Sequence, residues 1–229
     1  MDKMIKAVCF DMFWTLVDPQ RSLEHFEYEP LGITPEVWGK ANWTGKTGKQ
    51  RGNGRLSTPE AIMDRVFASL PVKVTDEARR EAIEGKKNRM RAALTQIDES
   101  ILECLETLKE HGDKVGLISN ADAFDDMFWD ESPLKKYFDD VIFSYRVKLL
   151  KPDRRIYRLS LKNLGVTAKE AVFVGDGGSD EIHGAKKVGM TTVWTEYLHS
   201  WDENTRENIG KYADLRIESF RELTDFLIG

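Results

Sequence analysis

The sequence has 229 residues, of which 41% are hydrophobic and 32% are charged, and its formal net charge is −5. This composition is typical of a soluble globular protein with one large domain, or of a core with a smaller insertion. The acidic balance leaves no broad basic surface, so neither nucleic acid nor an anionic membrane is an expected partner.

The cysteine content and the N-terminal residues predict a compartment. Cys9 and Cys104 are the two cysteines, both in apolar segments, and two thiols do not make a disulfide framework. The opening residues, MDKMIKAVCF, lack the long apolar segment of a signal peptide, and no run approaches the roughly 18 apolar residues of a membrane helix. We therefore expect a cytoplasmic protein.

The first predicted strand covers residues 5–10 and is followed at once by Asp11. The next comparable strand comes only near residue 114, and residues 19–95 between them are rich in helix formers. This spacing predicts a helical insertion over 19–95. The remaining residues, 1–18 and 96–229, form the predicted core.

Two helices and one loop are predicted inside the insertion. Thr58-Pro59-Glu60 is typical of a helix start, and a long charged helix is predicted from about Thr75 to Leu94. The segment GKTGKQRGNGR, Gly45 to Arg55, is predicted to be a glycine-rich basic loop. It is interpreted as a solvated linker in preference to a mobile anion contact.

From residue 97 onward, short apolar runs alternate with helical patterns. Buried strands that alternate with helices predict a parallel sheet, so the fold is predicted as α/β with a doubly wound parallel sheet. Helix ends are marked by glycines at positions 112, 165 and 189, and a capping box at 219–222 begins the last helix. The predicted strands are KVGLIS (114–119), DVIFS (140–144), AVFVGD (171–176), TTVWT (191–195) and ADLRI (213–217).

Polar clusters follow four of these strands. In an open parallel sheet, ligands bind at the carboxyl ends of the strands, so residues that directly follow a strand point toward that crevice. Each cluster alone is also common turn material, but four in order favour a site. The clusters are Asp11, Ser119-Asn120, Lys151-Pro152, which lies a little beyond DVIFS, and the acidic loop GDGGSDE (175–181).

The chemistry of these residues predicts a site for transferring an anionic group. A carboxylate nucleophile needs a cation to approach an anionic substrate, and Asp11 with Asp176 and Asp180 offers the oxygen ligands that Mg²⁺ prefers. Lys151 would neutralise the transferred group, and Thr15, Ser119 and backbone N–H groups would bind its oxygens.

Together, the four motifs resemble the haloacid dehalogenase superfamily, most of whose members are phosphatases. FDMFWTLVD is similar to the first motif, LISN to the second, KPDRRIY to the third and FVGDGGSDEIHGA to the fourth. The likeness covers essentially the whole chain, and residues 19–95 are similar to a helical cap inserted after the first motif. The fold implied is a Rossmann-like core with such a cap.

The resemblance also implies roles for the catalytic residues. Asp11 corresponds to the nucleophile, Thr15 and Ser119 to residues that bind the transferred group, and Lys151 to the residue that steadies nucleophile and phosphate. Asn120 completes the second motif.

The metal implied by the resemblance is Mg²⁺. Its expected ligands are Asp11, Asp176 and the backbone carbonyl of Phe13. Asp180 and Glu181 both fall near the second acidic position of the fourth motif, and Asp180 is the first choice.

The first motif departs from the phosphatase pattern. Phosphatases of the superfamily normally carry Asp-x-Asp, with the second aspartate as general acid and base, whereas this chain has Phe13, followed by Trp14 where glycine is usual. No side chain at position 13 can transfer a proton. The proton relay is therefore predicted to be lost while the metal site is retained.

Phe13 also resembles the aromatic residue in the first motif of true haloacid dehalogenases, which attack carbon and need no metal. Lys151, Tyr157, Ser119 and Asn120 match such an enzyme as well, but no arginine matches its halide-binding residue clearly; Arg51 and Arg55 are the alternatives. The acidic fourth motif argues against this function, because its carboxylates would repel a carboxylate substrate unless a cation intervened.

The sequence therefore predicts a Mg²⁺-dependent hydrolase that acts on a small phosphorylated metabolite through an aspartyl-phosphate at Asp11. A haloacid dehalogenase-like hydrolase and a catalytically impaired protein that binds phosphorylated ligands are the alternatives. Nothing in the motifs specifies an oligomeric state.

Overall fold

The computed structural model describes residues 5–20, 25–43 and 45–229. Within these ranges a six-stranded parallel sheet forms the centre of the molecule, with the strand order β3-β2-β1-β4-β5-β6. Its strands are β1 (Ala7–Phe10), β2 (Lys114–Ser119), β3 (Asp140–Phe143), β4 (Ala171–Gly175), β5 (Thr191–Thr195) and β6 (Leu215–Ile217).

β1 lies at the point where the strand order reverses. It pairs in parallel with β2 on one side and with β4 on the other, so Phe10 lies between Leu117 and Val174. Because the connections leave β1 in opposite directions, a crevice opens at the carboxyl ends of the central strands. The residues that follow β1, β2 and β4 therefore meet at one edge of the sheet.

Helices cover both faces of the sheet, which confirms the predicted doubly wound α/β fold. Val8 and Phe10 pack on one face with residues of α5 and α10, whereas Ala7 and Cys9 pack on the other face with residues of α7, α8 and α9. These helices are α5 (Glu99–Glu110), α7 (Arg154–Leu164), α8 (Glu181–Val188), α9 (Glu203–Gly210) and α10 (Phe220–Ile228); a short helix, α6 (Ser144–Val147), follows β3.

Between β1 and α5, the described residues form four further α-helices. They are α1 (Pro35–Trp43), α2 (Gly45–Gly52), α3 (Pro59–Phe67) and α4 (Asp76–Thr95). The predicted start at Thr58 is confirmed, since its hydroxyl accepts a hydrogen bond from the backbone N–H of Ala61. The predicted long charged helix is confirmed as α4, which Thr75 caps in the same way.

The predicted solvated linker at Gly45 to Arg55 is wrong, because most of this segment forms α2. Arg51 is fully buried, pairs with Asp122 and donates to the backbone carbonyl of Asn42. Composition suggested a loop because glycine and lysine are common in loops. In the fold, the buried side chain of Arg51 instead joins this helix to Asp122, a residue far away in the chain.

The strand and cap predictions agree closely with the structure. β2 and β5 match the predicted segments to the residue, and the other strands are shorter by one or two residues at an end. Gly165 and Gly189 cap α7 and α8 with φ of 66° and 97°, as their predicted role requires. Cys9 and Cys104 are buried free thiols.

Some predictions fall on residues outside the described ranges. These are the first four residues of the N-terminal stretch, and positions 21–24 and 44 of the predicted insertion. Among the residues that are described, no helix has both the length and the apolar character needed to cross a membrane.

Candidate active site

Asp11 lies at the carboxyl end of the central strand, where its backbone N–H donates to the carbonyl of Val174 at 2.9 Å. The chain then turns sharply, because the N–H groups of Leu16 and Val17 both donate to the carbonyl of Met12. This turn brings Thr15 back to the aspartate, and its hydroxyl donates to Asp11 Oδ2 at 3.4 Å. A strand end and a tight loop together orient the carboxylate into the crevice.

Lys151 contacts two carboxylates from a buried position. Its Nζ donates to Asp11 Oδ1 and to Glu181 Oε2. Burial works to lower the pKa of Lys151, but the negative charges of Asp11 and Glu181 outweigh it and raise the pKa. Lys151 is therefore a permanent cation beside Asp11.

Asn120 holds the backbone of Lys151 in place. Its Oδ1 accepts from the backbone N–H of Lys151 at 2.8 Å, and its Nδ2 donates to the backbone carbonyl of the same residue at 3.2 Å. Two hydrogen bonds of the Asn120 side-chain amide thus join the second and third predicted motifs. This contact fixes where the lysine side chain begins.

Asp11, Asp176 and Glu181 form a buried cluster of carboxylates. One oxygen atom from each lies within 4.8 Å of the others. Burial, with the added charge of Asp11, raises the pKa of Asp176 to about 6 and that of Glu181 well above its usual value. Lys151 supplies one positive charge against three carboxylates, so the donor set fits a hard divalent cation such as Mg²⁺.

The two neighbouring acids of the fourth motif point to different places. Asp180 lies outside the cluster, and its exposed carboxylate pairs with Nδ1 of His183 at 3.0 Å. Ser179 and Asp180 adopt left-handed backbone conformations with φ of 56° and 54°. This turn leads into α8, whose first residue, Glu181, faces inward, so the structure brings Glu181 and not the first choice, Asp180, to Asp11.

Ser119, at the end of β2, has an unusual environment. Its hydroxyl is fully buried, and no hydrogen-bond partner lies within reach among the described residues. An unpaired buried hydroxyl is destabilising, so such groups in active sites often await a ligand oxygen. Its position beside β1 suits the predicted contact with a transferred group.

Trp201 is a contact of the site that sequence reasoning missed. Its indole Nε1–H donates to the backbone carbonyl of Asp176 at 2.8 Å, which steadies the acidic loop from outside. Its side chain also packs edge-on against His199, whose ring lies 5.1 Å from that of Trp14. No spacing rule connects positions 14, 176 and 201, so this contact had no signal in the sequence.

A cavity of about 680 Å³ opens next to Phe13, two residues after Asp11, and next to Asn120, the residue bonded to the backbone of Lys151. It is lined by Phe13 and Trp14 of the first motif, by Asn120, Asp125 and Ser179, and by residues of α1, of α4 and of the segment after the first motif. Six of the lining residues are aromatic: Phe13, Trp14, Phe26, Tyr28, Trp38 and Trp43.

Arg89 and Glu27 both line the cavity and form an ion pair with each other. Arg89 donates from Nε and from one terminal nitrogen to the two oxygens of Glu27, at 2.8 and 2.7 Å, and Trp38 Nε1 donates to the same carboxylate. Burial works to raise the pKa of Glu27, but the bonds and charge of Arg89 lower it to about 2. Arg89 is consequently committed to Glu27.

Arg51 and Arg55, the arginines considered for halide binding, do not line this cavity. Arg51 is buried in its pair with Asp122, and Arg55 is exposed to solvent. Tyr157, which matched the dehalogenase pattern, donates its hydroxyl to the backbone carbonyl of Glu181 at 2.9 Å. This hydrogen bond joins α7 to the first residue of α8.

Residues 57–195 match the family model described as haloacid dehalogenase-like hydrolase. The chain is 31% identical to a glyceraldehyde 3-phosphate phosphatase of Methanocaldococcus jannaschii over 98% of this chain and 97% of that protein. Its match to the phosphatase of the same name from Pyrococcus furiosus is 33% identical and spans 53% of this chain but only 45% of that protein.

Dehalogenases are similar to the chain as well. It is 28% identical to (S)-2-haloacid dehalogenase 4A of Burkholderia cepacia over 82% of each chain. The structure of L-2-haloacid dehalogenase from Xanthobacter autotrophicus superposes with a TM-score of 0.70 at 20% identity and covers 99% of both chains. At 20% identity, the likeness to this dehalogenase structure shows a shared fold and nothing further.

Proposed function

This chain belongs to the haloacid dehalogenase-like hydrolases, and we propose that within this family it is a Mg²⁺-dependent phosphatase acting on a small phosphorylated molecule. The observation that carries the proposal is the buried group of three carboxylates, Asp11, Asp176 and Glu181, beside Lys151. Relatives named as phosphatases add support.

In the proposed reaction, a carboxylate oxygen of Asp11 attacks phosphorus and the bond from phosphorus to the leaving-group oxygen breaks. Lys151 holds Asp11 in place and balances its charge, while Thr15 and Ser119 donate to the phosphoryl oxygens. Water then hydrolyses the aspartyl-phosphate, which releases phosphate and restores Asp11.

The carboxylates of Asp11, Asp176 and Glu181, with the backbone carbonyl of Phe13, would hold the Mg²⁺ ion. When bound, Mg²⁺ supplies positive charge that offsets the repulsion between the nucleophile and an anionic substrate. We place Glu181 in this set in preference to Asp180 because its oxygen lies in the cluster.

Residues 19–95 are proposed to act as a cap over a core of residues 1–18 and 96–229. The support is the cavity, whose walls combine α1 and α4 of the insertion with Asn120 and Ser179 of the core. A cytoplasmic location is proposed from the two buried free cysteines.

The experiment is an assay of phosphate esters and 2-haloacids with Mg²⁺ and with EDTA, on the wild type and Asp11→Asn. We expect hydrolysis of phosphate esters with Mg²⁺, loss of that activity in EDTA, and background activity in Asp11→Asn with an unchanged circular dichroism spectrum. Haloacid turnover that EDTA leaves intact would reject the phosphatase.

A dehalogenase is the second candidate, because Phe13 is similar to the aromatic residue of that group and a dehalogenase is among the relatives. Its carboxylate substrate would meet the cluster of Asp11, Asp176 and Glu181, which repels anions. The cavity wall offers Arg89, but this guanidinium is bound to Glu27. The balance of charge therefore favours the phosphatase.

A further inference from the structure

We propose that the substrate is an aryl phosphate monoester whose ring occupies the aromatic cavity beside Asp11. The inference rests on the proposed phosphatase and names its substrate class. It follows from the size of the cavity, from the exposure of Trp43 and the backbone conformation of Trp14 in its wall, and from the residue at position 13.

The size of the cavity argues against a very small leaving group. Its volume of about 680 Å³ lies within the range of roughly 300–1,000 Å³ typical of sites that enclose drug-sized ligands. A three-carbon leaving group would leave most of this space to water. A ring system fills it and removes apolar surface from water.

Trp43 offers a preformed aromatic surface in the cavity wall. It is 49% exposed, although burial of so large an apolar side chain would be favourable. The guanidinium of Arg51 lies 4.0 Å from the centre of its ring and is itself held by Asp122. A charged group anchored in the protein interior thus fixes the ring while half of its surface stays accessible.

Trp14 lines the cavity from a backbone conformation that suits glycine. Its φ is 60°, which costs a non-glycine residue about 1–2 kcal/mol. Glycine would avoid this cost, so the indole must contribute something that glycine cannot. Phe26 and Tyr28 line the cavity together with Trp14, and their rings stack with centres 5.2 Å apart.

The chemistry at Phe13 points to the same class. A general acid matters most when the leaving oxygen is strongly basic, and Phe13 provides none. An aryl oxide is a much better leaving group than an alkoxide, since a phenol such as tyrosine has a pKa of about 10. The electron pair of the broken bond departs on the aryl oxygen, which then takes a proton from water.

The test measures binding, so that leaving-group chemistry cannot affect it. Benzylphosphonate, cyclohexylmethylphosphonate and propylphosphonate are titrated into the protein with Mg²⁺ by calorimetry. We expect benzylphosphonate to bind about tenfold more tightly than propylphosphonate, and more tightly than the cyclohexyl compound. Equal affinities for all three, or a preference for cyclohexyl over benzyl, would overturn the aryl assignment while leaving the phosphatase in place.

Two variants locate the ring. Trp43→Leu keeps an apolar cover over Arg51 and should remove the preference for benzylphosphonate with propylphosphonate affinity unchanged. Phe226→Leu is the matched control, because Phe226 is also 49% exposed but lies on α10, away from the cavity, and it should change neither affinity. A retained preference in Trp43→Leu would overturn the role of this wall. Failure of all three phosphonates to bind would reject the phosphate site itself.

Discussion

Glu181 and Asp180 are adjacent carboxylates with different environments. Glu181 is buried, accepts from Lys151 and lies in the cluster with Asp11, whereas Asp180 is exposed and pairs with His183. The left-handed turn at Ser179 and Asp180 separates their directions. Adjacent positions in the sequence therefore place one acid in the buried cluster and the other at the surface.

The paired variants Glu181→Gln and Asp180→Asn test this difference. We expect Glu181→Gln to weaken Mg²⁺ binding by about tenfold or more, because it removes a buried charged ligand of the cluster. Asp180→Asn should change the affinity less than about twofold, because an exposed carboxylate outside the cluster contributes only weakly. Isothermal titration with Mg²⁺ measures both, and the reverse ranking would return the metal role to Asp180.

At the scale of elements, α2 depends on the turn that follows it. Gly54 has φ of 72°, and a Cβ there would lie 2.2 Å from the backbone oxygen of Tyr145. Ser144, the neighbour of that tyrosine, donates its hydroxyl to the carbonyl of Gly52 at 2.7 Å. Close backbone packing against α6 thus positions α2 and, with it, Arg51.

Gly54→Ala should therefore destabilise the protein more than Gly112→Ala. Both glycines have left-handed φ, so each substitution incurs a conformational cost of about 1–2 kcal/mol. A Cβ at Gly112 would meet nothing within 4 Å, whereas that at Gly54 must displace backbone, which adds roughly 1–3 kcal/mol. Urea unfolding compares the two variants, and equal losses would mean that the contact with Tyr145 yields easily.

For the molecule as a whole, Lys86 makes stability depend on pH. It lies fully buried on α4, 5.0 Å from the ring of Phe124, and its Nζ has no hydrogen-bond partner in the described part of the chain. Burial, aided by the charges of Arg51 and Arg89, lowers its pKa from 10.5 to about 8, although Asp122 and Glu27 oppose that shift. Below pH 8, the folded protein must keep an unfavourable buried charge.

Lys86→Met should consequently stabilise the protein at pH 7, by about 1–3 kcal/mol. The unfolded lysine keeps its proton up to about pH 10.5, so the cost is fully present below pH 8 and disappears as the pH rises toward 10.5. The difference in free energy of unfolding between the variant and the wild type, measured in urea, should therefore shrink between pH 8 and pH 10.5.

Lys87→Met is the control for this measurement, because the side chain of this neighbouring lysine is 37% exposed and lies 3.7 Å from the exposed carboxylate of Glu84. Its effect should be small and nearly independent of pH. A Lys86→Met protein that is less stable than the wild type at pH 7 would show that the lysine stabilises the surrounding acids more than its burial costs.

The sequence by itself determined the parallel sheet, its strands to within two residues, and several helix ends. Strands were recognised from hydrophobic runs of four to six residues, and helix ends from the glycines that follow them. Both signals depend on local backbone physics, so they could be recognised without knowledge of the fold. The positions of Asp11, Ser119 and Asp176 at strand ends followed from the parallel sheet alone.

Only the tertiary structure decided what depends on distant residues. The choice of Glu181 over Asp180, the burial of Arg51 against Asp122, and the aromatic cavity with Trp43 in its wall all join segments far apart in the chain. A charged or glycine-rich stretch looks solvated in sequence because composition reports average exposure. Whether a particular charge is buried depends on whether a partner from elsewhere meets it, and that is settled when the chain packs.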